Sequence, residues 1–504
     1  MSEPLPWEDG PIDELAKGAD DHINNGDLLT EVDPEELFGS HAKQPWEYAR
    51  TELGNAELFR SRFRESLRWA PDQNKWWVWT GKNWREDSKN EASASANRIA
   101  RLRRDASGGA GDEKDVKAEM GWAVASESLS KRDACLGQAK SFAEMCLDLT
   151  ELDKNPWLLN CTNGVLDLKT MELKPHQSRL YLSKITKVDY LPKAQCPLWE
   201  AYLDKVMAGK SELIDFIQRA LGYSLTGSTR ETAVFVPWGD GSNGKSVLLD
   251  TATSILGDYA TTAASDALIA KNRSGGPTPE IAMLRGARLV SASETASGAR
   301  LDEAMIKQMT GGDLVTARFL NANHITFRPL AKIWLATNHK PEVRGMDHGI
   351  WRRIKLIPFQ VKISDEERDL DFAEKLKTEW PGILAWMVRG YLSWIEGGLR
   401  EPEEVRMATR VYQAEMDPVQ AFLDARCLRL DVPNLNWAIS CMRLYENYKS
   451  WAEACGERPL SLTRFGSALR NKGIVKEKTR DGLVYKGVSL VTDSRTDDVI
   501  GNML

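Results

Sequence analysis

Between residues 231 and 365 the chain alternates short apolar runs with stretches of helical periodicity. The apolar runs read TAVFVP, ARLVSAS, HITFRP and KIWLAT. Apolar runs of strand length, separated by helical segments, predict an α/β domain on a mostly parallel sheet. Residues 155–230 open with LLNCTNGVLDLKTMELKPH, read as a strand, a turn and a second strand. A helical module follows, in which Leu203, Val206, Ile214, Ile217 and Leu221 fall at spacings suited to buried helix faces. Residues 366–415 read as a helical connector. In residues 46–154, an N-terminal α/β region, Trp76, Trp77, Trp79 and Trp84 flank the turn TGKN. That pattern predicts a β-hairpin whose aromatics build a small core. Arg98, Arg101, Arg103 and Arg104 then close a basic helix ahead of a glycine-rich loop. A solvated face is the ordinary reading of such a run, and contact with a DNA backbone the sharper one.

Residues 416–492 form a separate unit. Its pattern is helix, turn, helix, hairpin, with Gly456 ending one helix, Ser461 capping the next and Asp481-Gly482 making the hairpin turn. That order predicts a winged helix. The candidate recognition helix carries Arg464, Arg470 and Lys472, and the wing carries Lys476, Lys478, Arg480 and Lys486. Basic residues on both elements are the footprint of phosphate contact, with Arg464, Arg470, Lys472 and Lys478 as the leading candidates. Residues 493–504 are a short tail.

Composition narrows the picture. A chain of 504 residues, 42% hydrophobic and 28% charged, is an ordinary globular protein of several domains. It has no apolar run of membrane-spanning length, and MSEPLPWEDG lacks the basic and apolar regions of a secretory signal. A cytoplasmic location without a membrane partner is expected. The seven cysteines form no metal-binding spacing and read as reduced, mostly buried thiols. The net charge of −6 hides a split: residues 1–45 hold 12 acids and 2 bases, leaving 61 acids and 65 bases elsewhere. An acidic, disordered tail therefore precedes a mildly basic body, so whole-chain charge does not exclude a nucleic-acid partner. Within the tail, Leu28 to Phe38 is a candidate partner-binding segment.

The chemistry is concentrated in VFVPWGDGSNGKSVLLD. Gly239-Asp240-Gly241-Ser242-Asn243-Gly244-Lys245-Ser246 fits the phosphate-loop pattern without a mismatch, after an apolar strand and before a helical run. Glycines let backbone N–H groups converge on phosphate oxygens, Lys245 reaches the β- and γ-phosphates, and Ser246 holds Mg²⁺. The implied ligands are a nucleoside triphosphate and Mg²⁺. About fifty residues on, the apolar strand in GARLVSASET runs into Glu294; the one in KIWLATNHKP runs into Asn338; HGIWRRIKLIPF places Arg352 and Arg353 before another apolar strand. Acid, amide and arginine in that order suit water activation, γ-phosphate sensing and charge neutralisation.

These motifs resemble the superfamily 3 helicases, in the branch of phage and plasmid primase–helicases and the poxvirus primase–helicase. The resemblance runs from about Asn155 to the C-terminal region. GDGSNGKS matches its phosphate loop, LVSASET its acidic strand, MTGGDLVTARFL…ITFRPLAKIWLATNHKP its hairpin and sensor strand, and WRRIKLIPF its arginine segment. The resemblance implies an AAA+-like P-loop core in a phage- or mobile-element-encoded DNA helicase, acting in a bacterial cytoplasm. It implies a ring, usually a hexamer, with ATP hydrolysed between subunits. Lys245 and Ser246 would then bind phosphate and Mg²⁺, with Glu294 as the catalytic acidic residue and second metal ligand and Asn338 as sensor. Arg353 is the better candidate for a finger reaching a neighbour's ATP, with Arg352 as the alternative. A hairpin from Arg318 to Thr326 would grip single-stranded or forked DNA. Its tip offers Asn321, Asn323 and His324 where viral relatives carry a lysine. Ser293 stands where many relatives have a first acid. About 150 residues precede the match, without a zinc ribbon, and Asp369-Leu370-Asp371 lies in a charged helical stretch. No primer synthesis is expected. The competing reading is an origin-binding or loading scaffold in which ATP controls assembly alone. A small-molecule kinase would leave the winged helix without a role.

Overall fold

The structure, a computed structural model, describes residues 43–263, 268–270, 279–293, 298–318, 324–343, 348–429, 438–456, 459–480 and 482–491. It divides into two compact units, residues 1–154 with 175–184, and residues 155–174 with 185–504.

In the first unit the helix Glu52–Phe63 starts at Thr51, whose hydroxyl accepts from the Gly54 amide at 3.0 Å. The tryptophan-rich stretch forms the expected hairpin around TGKN, and a third strand extends it into a meander. Strand β1 (Leu67–Ala70) joins β2 (Lys75–Trp79) and β3 (Trp84–Glu86). Trp69 lies opposite Trp76, and Trp79 opposite Trp84. Trp84 is fully buried and donates its indole N–H to the Ser178 carbonyl at 2.7 Å. Helices Glu91–Ala106, Glu113–Ser126 and Leu129–Ala139 complete the unit. The basic run on the first of them is not a uniform solvated or DNA-facing surface. Arg103 is wholly buried, with Nε donating to Glu119 at 2.7 Å and Nη groups reaching Asn55 and the Tyr48 carbonyl. Arg104 pairs with Glu127, Arg98 is half-buried against Phe63, and Arg101 is exposed.

The second unit opens with a small meander, β4 (Leu158–Cys161), β5 (Gly164–Asp167) and β6 (Glu172–Lys174), followed by helices Pro197–Val206 and Ser211–Ser224. A five-stranded sheet follows. Its strands are β7 (Val234–Trp238), β8 (Ala260–Thr262), β9 (Leu289–Ser293), β12 (Lys332–Ala336) and β13 (Ile354–Pro358). They lie in the order β8–β9–β12–β7–β13, and every pair is parallel. The intervening β10 (Val315–Ala317) and β11 (Ile325–Phe327) pair with each other in an antiparallel hairpin. HITFRP thus contributes to a hairpin and not to the parallel sheet.

The sheet's apolar runs are explained by burial on both faces. Phe235, Leu289, Trp334, Ala336 and Ile357 face a core shared with the helices Pro197–Val206, Ser211–Ser224, Lys245–Leu256 and Trp380–Gly397. Val234, Val236, Val290, Ile333, Leu335 and Leu356 face the other side, where Ile306, Met309, Ile350 and Tyr412 close a second core. Helices Ser211–Ser224 and Trp380–Gly397 cross with their backbones in contact. A methyl group at Gly222 would lie 2.1 Å from the Tyr391 amide nitrogen.

After the helix Glu403–Glu415, the chain forms Pro418–Arg426, β14 (Cys427–Arg429), β15 (Ala438–Ser440), helices Cys441–Ala454 and Leu462–Asn471, then β16 (Lys476–Thr479), β17 (Gly482–Lys486) and β18 (Val488–Leu490). Strand β17 lies between β15 and β16, antiparallel to both. Ser461 caps the second helix, accepting from the Arg464 amide at 3.4 Å. Tyr448 and Phe465 stack in this module's own core, and Phe422 meets both rings edge-on.

Candidate nucleotide site

Strand β7 ends in a tight turn, Gly239 to Gly244, from which Lys245–Leu256 begins. Two glycines are demanded by their surroundings. A methyl group at Gly239 would lie 2.1 Å from the Phe359 carbonyl oxygen. Gly244 has φ +88°, and a methyl group there would lie 2.9 Å from Val206. The turn is tied on both sides. The Tyr202 hydroxyl donates to the Gly244 carbonyl at 2.7 Å, the Asn243 side-chain amide donates to the Phe359 carbonyl at 3.1 Å, and the Ile363 amide donates to the Ser242 carbonyl at 2.8 Å.

Lys245 is only 6% exposed. Its ammonium donates to the Gly239 carbonyl at 2.6 Å and to Asn243 Oδ1 at 2.8 Å. Burial lowers its proton affinity, and the nearby Asp240 opposes that shift. Ser246 follows at the first turn of the helix and is exposed.

A cavity of about 710 Å³ opens at this turn. Residues 241–246 form its floor. Ser293, the last residue of β9, and Ala336, Thr337 and Asn338, at the end of β12, form one wall. The site therefore lies outside the carboxyl ends of the parallel strands, where α/β sheets bind ligands. Tyr202, Lys205 and Val206 line a second wall, and Glu367 to Leu370 with Phe372 and Ala373 a third. Lys205 and Glu367 pair across the mouth at 3.3 Å. Asp369-Leu370-Asp371 is a turn ahead of the helix Phe372–Lys377, with Asp369 and Leu370 lining the cavity.

Asn338 thus shares a cavity with Lys245, 93 positions apart in the chain. Glu294 lies outside the described residues, directly after Ser293. Arg352 and Arg353 sit at the start of β13, whereas the glycine-rich turn lies beside its end; a five-residue strand separates them by roughly 16 Å. Arg353 is 9% exposed, with Nε donating to Thr310 at 3.1 Å and Nη1 to the Gly349 carbonyl at 2.5 Å. Arg352 is exposed.

Of the hairpin candidates, Asn321 and Asn323 lie outside the described residues. Arg318 is half-buried at the end of β10, and His324 is exposed at the start of β11. In the C-terminal module Arg464, Arg470 and Lys478 are exposed. Lys472 is half-buried instead: its ammonium pairs with Asp417 and donates to Gln420 Oε1 at 3.0 Å. Lys486 pairs with Glu477.

The apolar wall was not anticipated. Tyr202, Leu370 and Phe372 carry no motif, and at helical spacing they are indistinguishable from core residues. All seven cysteines are free thiols, and Cys146 and Cys455 are the two exposed ones. Among the described residues no helix is long and apolar enough to cross a membrane, and no cluster of three His, Cys, Asp or Glu is set to hold a metal ion.

Two family models match the chain. One, described as D5 N terminal like, covers residues 56–208; the other, described as Family of unknown function (DUF5906), covers residues 238–353. The chain is 28% identical over 340 residues to the Acanthamoeba polyphaga mimivirus protein named "Putative helicase L207/L206", covering 62% of this chain and 35% of that protein. It is 28% identical over 218 residues to the African swine fever virus protein named "Putative primase C962R", covering 42% and 23%. The chain spans about a third or less of the length of these relatives. A solved structure titled as the NrS-1 C terminal region matches at 9% identity with a TM-score of 0.49, covering 86% of this chain and 98% of that one.

Proposed function

We propose that this chain is the ATP-hydrolysing subunit of a replicative DNA helicase, a ring-shaped oligomer of superfamily 3 type that moves on single-stranded DNA. The observation that carries the reading is the convergence of the glycine-rich turn, Ser293 and Asn338 on one cavity at the carboxyl edge of the sheet. The strand order, with β7 between β12 and β13, supports an AAA+-like P-loop core. The viral relatives named as helicases and primases support DNA as the substrate.

The residues present fit a nucleoside triphosphate. Gly239 and Gly244 admit no side chain, the helix Lys245–Leu256 points its amino end into the cavity, and Lys245 supplies the cation. The apolar wall of Leu198, Tyr202, Val206 and Phe372 suits the base. Ser246 and Glu294 would hold Mg²⁺, which would supply charge neutralisation at the phosphate oxygens. Lys245 binds the β- and γ-phosphates, and Asn338 orients the attacking water. Glu294 takes its proton. Arg352, exposed at the far end of β13, is assigned the finger that reaches a neighbouring subunit; Arg353 is already bonded within its own. A site shared in this way calls for a closed ring of subunits, for which a hexamer is the proposed size. The module with β15, β16 and β17 has the element order of a winged helix and offers Arg464, Arg470 and Lys478 to DNA phosphates.

ATP turnover with and without single-stranded DNA, for the wild type and Glu294→Gln, tests the reading. DNA-stimulated turnover lost in the variant is expected. Turnover that ignores DNA or survives the substitution would overturn the helicase assignment in favour of an assembly scaffold.

A further inference from the structure

One side chain in the turn makes a contact that phosphate binding does not require. Asn243 is 4% exposed and uses both ends of its amide. Its Oδ1 accepts from the Lys245 ammonium at 2.8 Å, and its Nδ2 donates to the Phe359 carbonyl at 3.1 Å. Phe359 directly follows β13, and its own amide donates to the Trp238 carbonyl at 2.7 Å. The lysine is therefore joined through one amide to the strand that begins next to Arg352 and Arg353.

We infer that Asn243 is a positioning residue, which fixes the Lys245 ammonium against the end of β13 and so sets where that charge meets the terminal phosphates. The inference rests on the proposed nucleotide site, but its geometry is that of the chain alone. An amide suits the task because it accepts from an ammonium and donates to a carbonyl at once. Aspartate keeps the first contact and sets a carboxylate against the Phe359 carbonyl. Alanine loses both. Gly239 crowds the same amide nitrogen, since a methyl group there would lie 2.5 Å from Asn243 Nδ2. The amide is therefore packed from two sides and has no room to swing away.

The test separates this role from hydrolysis. Acylation of Lys245 is followed by mass spectrometry without nucleotide, against the exposed Lys478 as reference. Asn243→Ala is expected to raise the Lys245 labelling rate at least fivefold, and Asn243→Asp to lower it. Rates within twofold of wild type in both variants, or shifted the same way in both, overturn the proposal. In steady-state kinetics Asn243→Ala is expected to lower kcat tenfold or more with KM within threefold. Asn243→Asp, whose carboxylate competes with phosphate for the ammonium, is expected to raise KM at least tenfold. A kcat and KM within threefold of wild type in both variants also overturn it. Labelling that responds as expected in a chain that turns over no ATP removes the hydrolysis reading and leaves the positioning role standing.

Discussion

Arg103 and Glu119 form an ion pair with both side chains fully removed from solvent, Nε to Oε1 at 2.7 Å. Glu119 also accepts from Arg50, and Arg103 also serves Asn55 and the Tyr48 carbonyl, so the pair joins three helices and the entry segment. Removing one partner strands a buried charge, which costs about 3–5 kcal/mol. Arg103→Ala is expected to lower the unfolding free energy by that order in urea denaturation. Arg103→Met with Glu119→Leu is expected to recover most of the loss. A single substitution costing under about 1 kcal/mol would show that water reaches the pair.

Lys245 is the residue on which nucleotide affinity is expected to turn. A charge-assisted hydrogen bond contributes about 1.5–3 kcal/mol, so Lys245→Ala should weaken ATP binding by roughly ten- to a hundredfold. Titration with a fluorescent ATP analogue measures it. Because the side chain is buried against Gly239 and Asn243, Lys245→Arg is expected to fail as well.

The two arginines before β13 are expected to behave oppositely. Arg353→Ala removes bonds to Thr310 and Gly349 and should lower the thermal midpoint. Arg352→Ala should leave that midpoint unchanged and abolish turnover, with activity returning in mixed oligomers that pair an intact finger with an intact site. Arg352→Ala with wild-type turnover would remove the finger from this strand.

In the C-terminal module, Arg464→Ala and Arg470→Ala are each expected to reduce the salt dependence of DNA binding by about one phosphate contact, a change of roughly 0.9 in the log–log slope. Lys472→Gln is expected to leave that slope alone and to destabilise the module, because it abandons Asp417. Binding measured across a salt series, beside thermal melts, distinguishes the two outcomes.

Alkaline stability should report the buried thiols. Burial pushes Cys135, Cys161 and Cys196 up to about 12. A thiol raised in the folded state holds its proton longer there than in the unfolded chain. Its stabilising contribution is complete below the ordinary thiol range near pH 8.5 and is lost as pH rises toward about 12. Denaturation midpoints should therefore fall across that window, and less steeply in Cys135→Ala and Cys161→Ala variants. At neutral pH, Cys146 and Cys455 should alkylate first.

The central strands were legible because both faces are buried, which makes each an unbroken apolar run. Strand β8 was not, since Ala260–Thr262 is a short, partly exposed edge with no apolar signature. HITFRP carried a strand signal but no sign of its partner, and it pairs with β10 in a hairpin. Among four arginines in one helix, sequence could not single out Arg103, because its partner Glu119 lies on the following helix. Lys472 read as a surface cation for the same reason: Asp417 is 55 residues away. The glycine-rich turn was visible because its geometry restricts residue type, whereas the cavity's apolar wall imposes no such rule.

The sheet order has a consequence for the newborn chain. Strand β7 is the first of the five to be made, yet both of its neighbours, β12 and β13, come last. Strands β8 and β9 can pair as soon as they emerge, but β7, the strand that leads into the glycine-rich turn and Lys245, stays without a sheet partner for roughly a hundred residues of synthesis. The lysine and Asn338 meet only when β12 slides between strands already made. Affinity for a nucleotide should thus be among the last properties the growing polypeptide acquires, and a chain halted before Lys332 would carry the whole phosphate-loop motif with no pocket to use it.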